Sequence, residues 1–358
     1  MDRPVANRHP KHTQWPKRAA YYSGALPLWN RVINHSTFTV VMFHRVLPEH
    51  DPRWSYCDIE YTTSTQAFNG CLEFFKAHYN VVGIPDLLAH GRRLPPRALL
   101  VTLDDGWSDN EEFALPILQR AGVPAVVFVA LDALDAPIPQ PFWQMRLIHA
   151  FRRGHLTPAV CRTLWADAAP GKDAPAFTAL RDCDALVSAI ERLDLASMVQ
   201  VIGRVEHNLG EHPADGHMMT TAQMQRLAAA GIDIGCHGTS HHPMTKVDDL
   251  DRELSDARSA LGAKLGAPPA TMSFPHGAYD RRIAETALRS GFDYVFTSNA
   301  VVNSMRAGVP RSRILGRIGI FHSHICDGHG EFRPELLALR LFRRKADALN
   351  GEPPTAGG

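Results

Sequence analysis

The amino-acid sequence predicts an α/β fold in which a mostly parallel sheet, open or closed into a barrel, alternates with helices. Short β-branched runs recur along the 358-residue chain, and each ends in polar residues or glycine. Near-continuous apolar character over such short runs is typical of strands that are buried on both faces. Segments with helical spacing of apolar residues lie between the runs, and this alternation favours parallel strands joined by right-handed crossovers.

Seven strands and four helices follow from these patterns. The predicted strands cover residues 38–42, 98–103, 125–129, 232–235, 271–274, 294–297 and 317–320. The predicted helices cover residues 68–79, 113–121, 250–265 and 281–290, and a further strand-like run, 81–84, follows the first of them. Each of the last three helices is followed by a glycine, which is a helix stop signal.

One long stretch, residues 132–217, has helical periodicity but no convincing strand, and we interpret it as a helical insertion that covers one side of the barrel. The predicted organisation is an N-terminal arm (1–36), a barrel (37–325) that contains this insertion, and a C-terminal region (326–358). In the C-terminal region, residues 333–350 read as a basic amphipathic helix and residues 351–358 as disordered.

Composition excludes several functional classes. The formal net charge of +1 gives no reason to expect nucleic-acid binding, and no apolar run approaches the roughly 20 residues of a membrane span. Residues 1–17 lack the apolar stretch of a secretory signal. The six cysteines have no paired short spacing, which indicates free thiols in a reducing compartment, so we expect a cytoplasmic protein.

Two adjacent carboxylates, Asp104 and Asp105, follow directly on the predicted strand 98–103 and precede a glycine. Neighbouring residues that leave a strand point in different directions, so one carboxylate can bind a cation while the other acts as a base. In barrels and open α/β sheets, active sites gather at the carboxyl ends of strands, where this pair falls. An Asp-Asp-Gly turn, with Asp109 or Asn110 capping the next helix, is the alternative interpretation.

Two histidines, His237 and His241, follow the predicted strand 232–235. Their spacing of four places both imidazoles on the same side of one helical turn. Two histidines and one carboxylate form a common metal site that leaves positions open for water. Surface or capping histidines are the alternative, but the aspartate pair on the same rim favours the metal site. Cys236 is a weaker candidate ligand.

The segment 274–280 ends the predicted strand 271–274 in a Pro-x-Gly turn around His276. Such a turn exposes backbone N–H groups that can hold an oxyanion. Pro-x-Gly turns are common, so this segment supports a catalytic site only beside the other two.

Taken in order, these segments resemble the motifs of the NodB-homology polysaccharide deacetylases, carbohydrate esterase family four. Residues 102–106 resemble the family's Thr-Phe-Asp-Asp-Gly motif with Leu103 in place of Phe, and residues 237–241 resemble its His-Ser/Thr-x-x-His motif with Gly238 in the second place. Residues 41–46, 114–118 and 122–125 resemble the exopolysaccharide-biosynthesis branch. The resemblance runs from about residue 37 to residue 320, apart from the insertion, and implies a distorted, incomplete (β/α) barrel.

The resemblance also implies a metal-dependent mechanism. Asp105, His237 and His241 would bind a divalent metal, usually zinc in this family, and Asp104 would be the general base that takes a proton from the attacking water. The metal would lower the pKa of that water to roughly 7 and polarise the acetyl carbonyl. The backbone N–H of His276 would help to stabilise the oxyanion.

Three family features are altered. The third motif often begins with an arginine that orients the base, and Ser273 occupies that place. The fourth motif, an Asp and a Trp that line the acetyl pocket, has no clear match, and Asp293 is the nearest candidate. In the fifth motif, Leu-x-His, the family's general acid would correspond to His322 within Ile-Phe-His, with His324 as the alternative.

Four further residues are predicted to face the substrate. His44 closes the first predicted strand, Pro275 lies in the Pro-x-Gly turn, and Trp107 and Tyr279 lie beside the motifs, where aromatic faces suit sugar rings. Packing is the alternative interpretation for His44 and for both aromatic residues.

The predicted function is hydrolysis of N-acetyl groups on an amino-sugar glycan or glycan precursor, including a lipid-linked one. A degenerate carbohydrate-binding or assembly protein, and a deformylase or other small-amide hydrolase on the same metal site, are the alternatives. Basic residues in the N-terminal arm and the C-terminal helix allow peripheral contact with anionic lipids. The favoured interpretation of that helix is a solvated face packed on the barrel through Leu337 and Leu341.

Overall fold

The protein is described here by a computed structural model that covers residues 15–89, 93–136, 142–207 and 217–351. The strands are β1 (Thr37–Phe43), β2 (Arg45–Leu47), β3 (Thr62–Ser64), β4 (Asn80–Val81), β5 (Ala98–Leu103), β6 (Ala125–Val129), β7 (Asp233–Cys236), β8 (Thr271–Ser273), β9 (Tyr294–Phe296), β10 (Val302–Arg306), β11 (Val309–Pro310), β12 (Ile314–Leu315), β13 (Ile318–Gly319) and β14 (Ala346–Asp347). The α-helices are α1 (Trp15–Tyr22), α2 (Ala25–Ile33), α3 (Thr65–His78), α4 (Ile84–Leu88), α5 (Leu115–Ala121), α6 (Trp143–Arg152), α7 (Pro158–Ala168), α8 (Leu180–Ile190), α9 (Leu195–His207), α10 (Thr221–Ala229), α11 (Ala257–Leu265), α12 (Arg281–Arg289), α13 (His322–Ile325) and α14 (Pro334–Phe342).

The main sheet is mostly parallel and curls into an incomplete barrel, as predicted. Strands β1, β5, β6, β7, β8, β9 and β12 pair in this order, each parallel to the next. The short segment that carries β12 and β13 joins the two ends of this series, since β12 pairs with β9 and β13 pairs with β1. Strand β10 pairs antiparallel with β1 and extends the sheet outward. All seven predicted strands have counterparts.

The predicted helix faces and stop signals are also observed. The apolar stripe of α3 that contains Phe68, Leu72 and Phe75 is fully buried. Helices α5 and α11 end at Gly122 and Gly266, whose left-handed φ values of 63° and 85° suit a residue without a side chain.

The predicted helical insertion is present. Within its described residues, helices α6 to α9 pack around a hydrophobic cluster of their own, with Leu147, Leu164, Leu186 and Val201 among its buried members. This separate cluster lets the insertion stand as a layer beside the barrel instead of extending the barrel core.

Three details of the predicted elements are wrong. The C-terminal helix α14 ends at Phe342 instead of continuing to residue 350, because β14 pairs with β10 after it. The strand expected around residues 81–84 ends at Val81, and α4 begins at Ile84. Helices α1 and α2 were not predicted. As expected, α14 packs through Leu337 and Leu341, which are both buried.

Some predictions lie outside the described residues. These are the basic residues Arg3, Arg8 and Lys11 of the N-terminal arm and the expected disorder of 352–358. Among the described helices, none combines the length and the apolar character that crossing a bilayer requires.

Candidate active site

The predicted site residues meet at one rim of the barrel because they follow the carboxyl ends of neighbouring parallel strands. His44 follows β1, Asp104 and Asp105 follow β5, His237 follows β7, and Ser273 is the last residue of β8. This is the rim where α/β barrels place their active sites.

Asp105, His237 and His241 form a compact cluster. Asp105 Oδ1 lies 3.4 Å from His237 Nε2 and 3.1 Å from His241 Nε2. One ligand atom from each of the three residues lies within 4.8 Å of the others. One carboxylate and two imidazole nitrogens are a donor set that suits zinc and leaves open positions. Burial alone would raise the pKa of Asp105, but hydrogen bonds from the two histidines hold that pKa well below its usual value.

The prediction that both histidines lie on one helical turn is wrong. Residues 237–243 form a loop, and His241 has a left-handed φ of 57°. Three of the seven non-glycine residues with positive φ in the described chain, Asp105, His241 and His276, belong to this rim. Such backbone conformations persist only where surrounding contacts hold them, and they are common at functional sites.

Buried partners orient the cluster. Trp107 Nε1 donates to Asp105 Oδ2 at 2.9 Å. The Ser273 carbonyl oxygen and hydroxyl lie 2.9 and 2.6 Å from His237 Nδ1. If His237 binds a metal through Nε2, its Nδ1 carries the hydrogen and donates to the Ser273 carbonyl. The buried Glu253 carboxylate accepts the backbone N–H groups of Thr239 at 2.7 Å and Ser240 at 3.1 Å, which fixes the histidine loop.

Asp104 is held by a buried arginine that the sequence analysis did not identify. Arg317 lies between β12 and β13, is completely buried, and donates from both terminal nitrogens to the two Asp104 carboxylate oxygens at 2.6 and 2.7 Å. It also donates to the Thr297 carbonyl at 3.1 Å. Burial would raise the pKa of Asp104, but Arg317 and His237 together lower it below its usual value.

A second buried arginine, Arg45, packs against Trp107 beside the cluster. Arg45 donates to Asp109 Oδ2 at 2.8 Å and lies over the Trp107 ring, with its guanidinium carbon 4.3 Å from the ring centroid. Asp109 also accepts the Val46 N–H at 2.9 Å, and no side-chain cap is made by Asp109 at the following helix. Arg45 therefore fixes the indole that donates to Asp105.

The helical insertion forms one wall of a cleft beside the cluster. The Phe142 ring centroid lies 4.1 Å from that of His241, and Glu191 Oε1 lies 3.6 Å from His276 Nδ1. A space of about 70 Å³ separates these insertion residues from the histidine loop. Burial and the neighbouring His241 lower the pKa of His276 to about 3, so its ring is neutral at neutral pH.

The remaining predicted residues occupy different surroundings. Burial lowers the pKa of His44, although the nearby carboxylates of Asp105 and Asp104 act in the opposite direction. Burial also lowers the pKa of His322, and the carboxylates that oppose this shift are those of Glu60 and Glu49, not the aspartate pair. His324 likewise interacts with Glu60.

The three residues expected to contact sugar besides His44 are all buried. Trp107 and Tyr279 are each 2% exposed, and Pro275 is buried at the start of the turn. Tyr279 stacks on Phe274 and donates to Asn299 Oδ1 at 3.1 Å. Asp293, the nearest candidate for the fourth motif, precedes β9 and so lies at the opposite edge of the sheet from the cluster.

Comparisons with known proteins agree with this geometry. Residues 182–295 match the family model described as polysaccharide deacetylase, a segment that includes both histidines of the cluster but not the aspartate pair. No curated protein matches the chain.

Three solved structures illustrate the likeness in fold. A polysaccharide deacetylase from Bacillus cereus aligns over 85% of this chain and 68% of its own, with 12% identity and a TM-score of 0.52. The Streptococcus pyogenes deacetylase PplD, in complex with acetate, aligns over 85% and 98%, with 14% identity and a TM-score of 0.51. A de-N-acetylase from Aggregatibacter actinomycetemcomitans aligns over 85% and 99%, with 16% identity and a TM-score of 0.50.

Proposed function

Because residues 182–295 match the polysaccharide deacetylase family model, we propose that the chain is such a deacetylase and that it hydrolyses N-acetyl groups on an amino-sugar glycan or glycan precursor. The observation that carries the proposal is the compact cluster of Asp105, His237 and His241 beside the buried Asp104–Arg317 pair. A degenerate binding protein would have no use for this pairing of a metal-type donor set with an adjacent carboxylate. The six cysteines are all free and buried, which supports action in the cytoplasm.

Asp105, His237 and His241 would hold the metal ion, and we propose zinc because the donors are one carboxylate and two imidazoles. A divalent ion bound there would acidify water and polarise the acyl carbonyl. Asp104, ionised and fixed by Arg317, would accept the proton of the attacking water. The backbone N–H of His276, at the exposed turn after Pro275, would donate to the oxygen of the tetrahedral intermediate.

The departing amine needs a proton, and two histidines are candidates. His322 is the candidate from the family motif, whereas His44 is the one close to Asp104 and Asp105, and burial lowers the pKa of both histidines. We therefore propose to compare His44→Gln with His322→Gln. The variant that lacks the donor is expected to lose roughly two to four orders of magnitude in rate while it keeps the metal. A normal rate for either variant removes that residue from the role.

We propose that the helical insertion selects the substrate. Phe142 and Glu191 face the cleft next to His241 and His276, where a sugar would approach the cluster. An aromatic ring and a carboxylate are the groups that commonly contact the faces and hydroxyls of a sugar. We expect Glu191→Gln to raise KM more than it lowers kcat. Asp167→Asn, at a partly exposed carboxylate of the same insertion that pairs with Arg204, is the matched control and should behave as the wild type.

The proposed function is tested by metal content and product release. The purified protein should contain about one equivalent of metal by elemental mass spectrometry, and the His237→Ala/His241→Ala variant should contain none. His242→Ala, in the same loop but outside the cluster, should keep the metal. The loaded protein should release acetate from oligosaccharides of N-acetylglucosamine. Release of formate from N-formyl analogues without acetate release would favour the small-amide alternative, and a protein that takes up no metal would contradict the hydrolase.

A further inference from the structure

Helix α2 carries an apolar face that is left uncovered by the part of the chain that the structure describes. Leu28, Trp29, Val32 and Ile33 are 62%, 53%, 66% and 54% exposed. Leu28 and Val32, like Trp29 and Ile33, are four residues apart and so lie one turn above each other on one side of the helix. The opposite side, where Asn30 is buried, packs on the protein. Four adjacent exposed apolar side chains on one helix mark a contact surface and are not ordinary scatter.

Cations are frequent in and next to the segment that carries this apolar face. Residues 15–36 contain Lys17, Arg18 and Arg31 and no acidic residue, and Arg18 pairs with Glu335 at 3.6 Å. At the end of α2, Asn34 Nδ2 donates to the Phe342 carbonyl at 3.2 Å, and Phe342 is followed directly by the basic run 343–345. Arg31 and the first and last residues of that run are exposed. These exposed cations, Arg31, Arg343 and Lys345, form a basic rim at the C-terminal end of the apolar face.

We propose that this face docks the protein on an anionic lipid bilayer. Apolar side chains flanked by Lys and Arg are the composition of helices that lie in the headgroup region, and tryptophan is enriched at that depth. Anionic headgroups complement the basic rim. A second copy of the chain is a poorer partner, because a two-fold contact through α2 would bring Arg31 and the basic run against their own copies.

Docking through α2 leaves the candidate active site free. Helix α2 precedes β1 at the amino edge of the barrel, whereas the cluster lies at the carboxyl edge, beyond the seven residues of β1. A strand of that length separates the two edges by roughly 23 Å. Lipid binding can therefore be measured without turnover, and its failure would leave the proposed deacetylase function untouched.

The test is co-sedimentation of the full chain with vesicles of phosphatidylcholine alone or with about one third phosphatidylglycerol, at low and high salt. We expect binding to the mixed vesicles that weakens at high salt. Leu28→Ser/Val32→Ser should lower the affinity about tenfold or more, since two exposed anchors are lost. Arg343→Gln/Lys345→Gln should lower it about fivefold per removed charge. Val199→Ser, at an exposed valine on α9, is the matched control and should bind as the wild type.

Three results would overturn the proposal. The first is a wild-type protein that does not sediment with mixed vesicles at low salt. The second is a Leu28→Ser/Val32→Ser variant that binds as well as Val199→Ser. The third is a dimer in analytical ultracentrifugation, formed without vesicles and lost in the Leu28→Ser/Val32→Ser variant, which would assign the face to self-association.

Discussion

Removing Arg317 should damage both the stability of the protein and the proposed general base. Arg317 is completely buried, and both of its terminal nitrogens bond to the Asp104 carboxylate. In Arg317→Met the carboxylate stays buried without its partner. Breaking one side of a buried ion pair costs about 3–5 kcal/mol, because the charge left behind is not compensated. We expect this loss in the free energy of unfolding measured with urea at neutral pH.

The double variant Asp104→Asn/Arg317→Met separates the two effects. With both charges removed, most of the lost stability should return, because replacing a complete buried ion pair by neutral groups is often close to neutral. Turnover should not return, since no carboxylate is left to take a proton. Arg317→Lys keeps the charge but loses the two-point contact. In this variant the activation free energy of acetate release should rise by more than the free energy of unfolding falls. Arg313→Met, at an exposed arginine that donates to the Asp293 and Phe292 carbonyls, is the control.

An Arg317→Met variant that unfolds at the wild-type urea concentration and releases acetate at the wild-type rate would contradict both assigned roles of Arg317. A double variant less stable than Arg317→Met would also contradict them, because the two side chains would then contribute to stability independently.

Three further predictions address the supports of the site and the pH dependence of stability. Trp107→Phe removes the hydrogen bond to Asp105, the proposed metal ligand, and should weaken metal affinity about 10–100-fold in a chelator competition, whereas unchanged affinity would refute its positioning role. Gly238→Ala should lower both Tm and metal content, because Gly238 has a φ of 76° and an added Cβ would lie 2.8 Å from Met244 Cε; a wild-type melting curve would contradict this. Burial raises the pKa of the half-buried Asp233 to about 6, so its ionisation should destabilise the fold as pH rises from about 4 to 6. In urea unfolding at pH 7, Asp233→Asn should therefore raise the free energy of unfolding by about 1 kcal/mol, a value reduced for solvent screening. At pH 4 the variant should show no such increase.

The strands and their rim could be predicted because the signal is local. An apolar run such as 98–103 is buried along its whole length, and the polar residues that follow it must emerge at the same edge as those after neighbouring parallel strands. The histidine pair was identified correctly as a cluster but for the wrong reason. A loop with a left-handed residue at position 241 brings the rings together, and sequence spacing does not reveal that conformation.

Contacts between distant parts of the chain could not be predicted in the same way. Asp104 and Arg317 are 213 residues apart, and they meet only because the segment with β12 and β13 joins the two ends of the sheet. One signal was available: Arg317 is a lone charge within the otherwise apolar stretch 314–320. A charge in a buried strand needs a partner, and the unpaired member of the aspartate pair was the obvious candidate.

The position of Arg317 also bears on whether the altered third motif indicates a degenerate site. Ser273 stands where the family motif would have an arginine that orients the base, which favoured a degenerate site. An arginine that orients a carboxylate base has only to place its guanidinium beside that carboxylate. Any strand that reaches this position in the barrel can therefore carry the arginine. Here the closing segment supplies the guanidinium. Ser273 bonds instead to His237 Nδ1, where it orients a proposed metal ligand. We therefore propose that the arginine that orients the base has been relocated within the site, in which case the altered motif gives no support to a loss of activity.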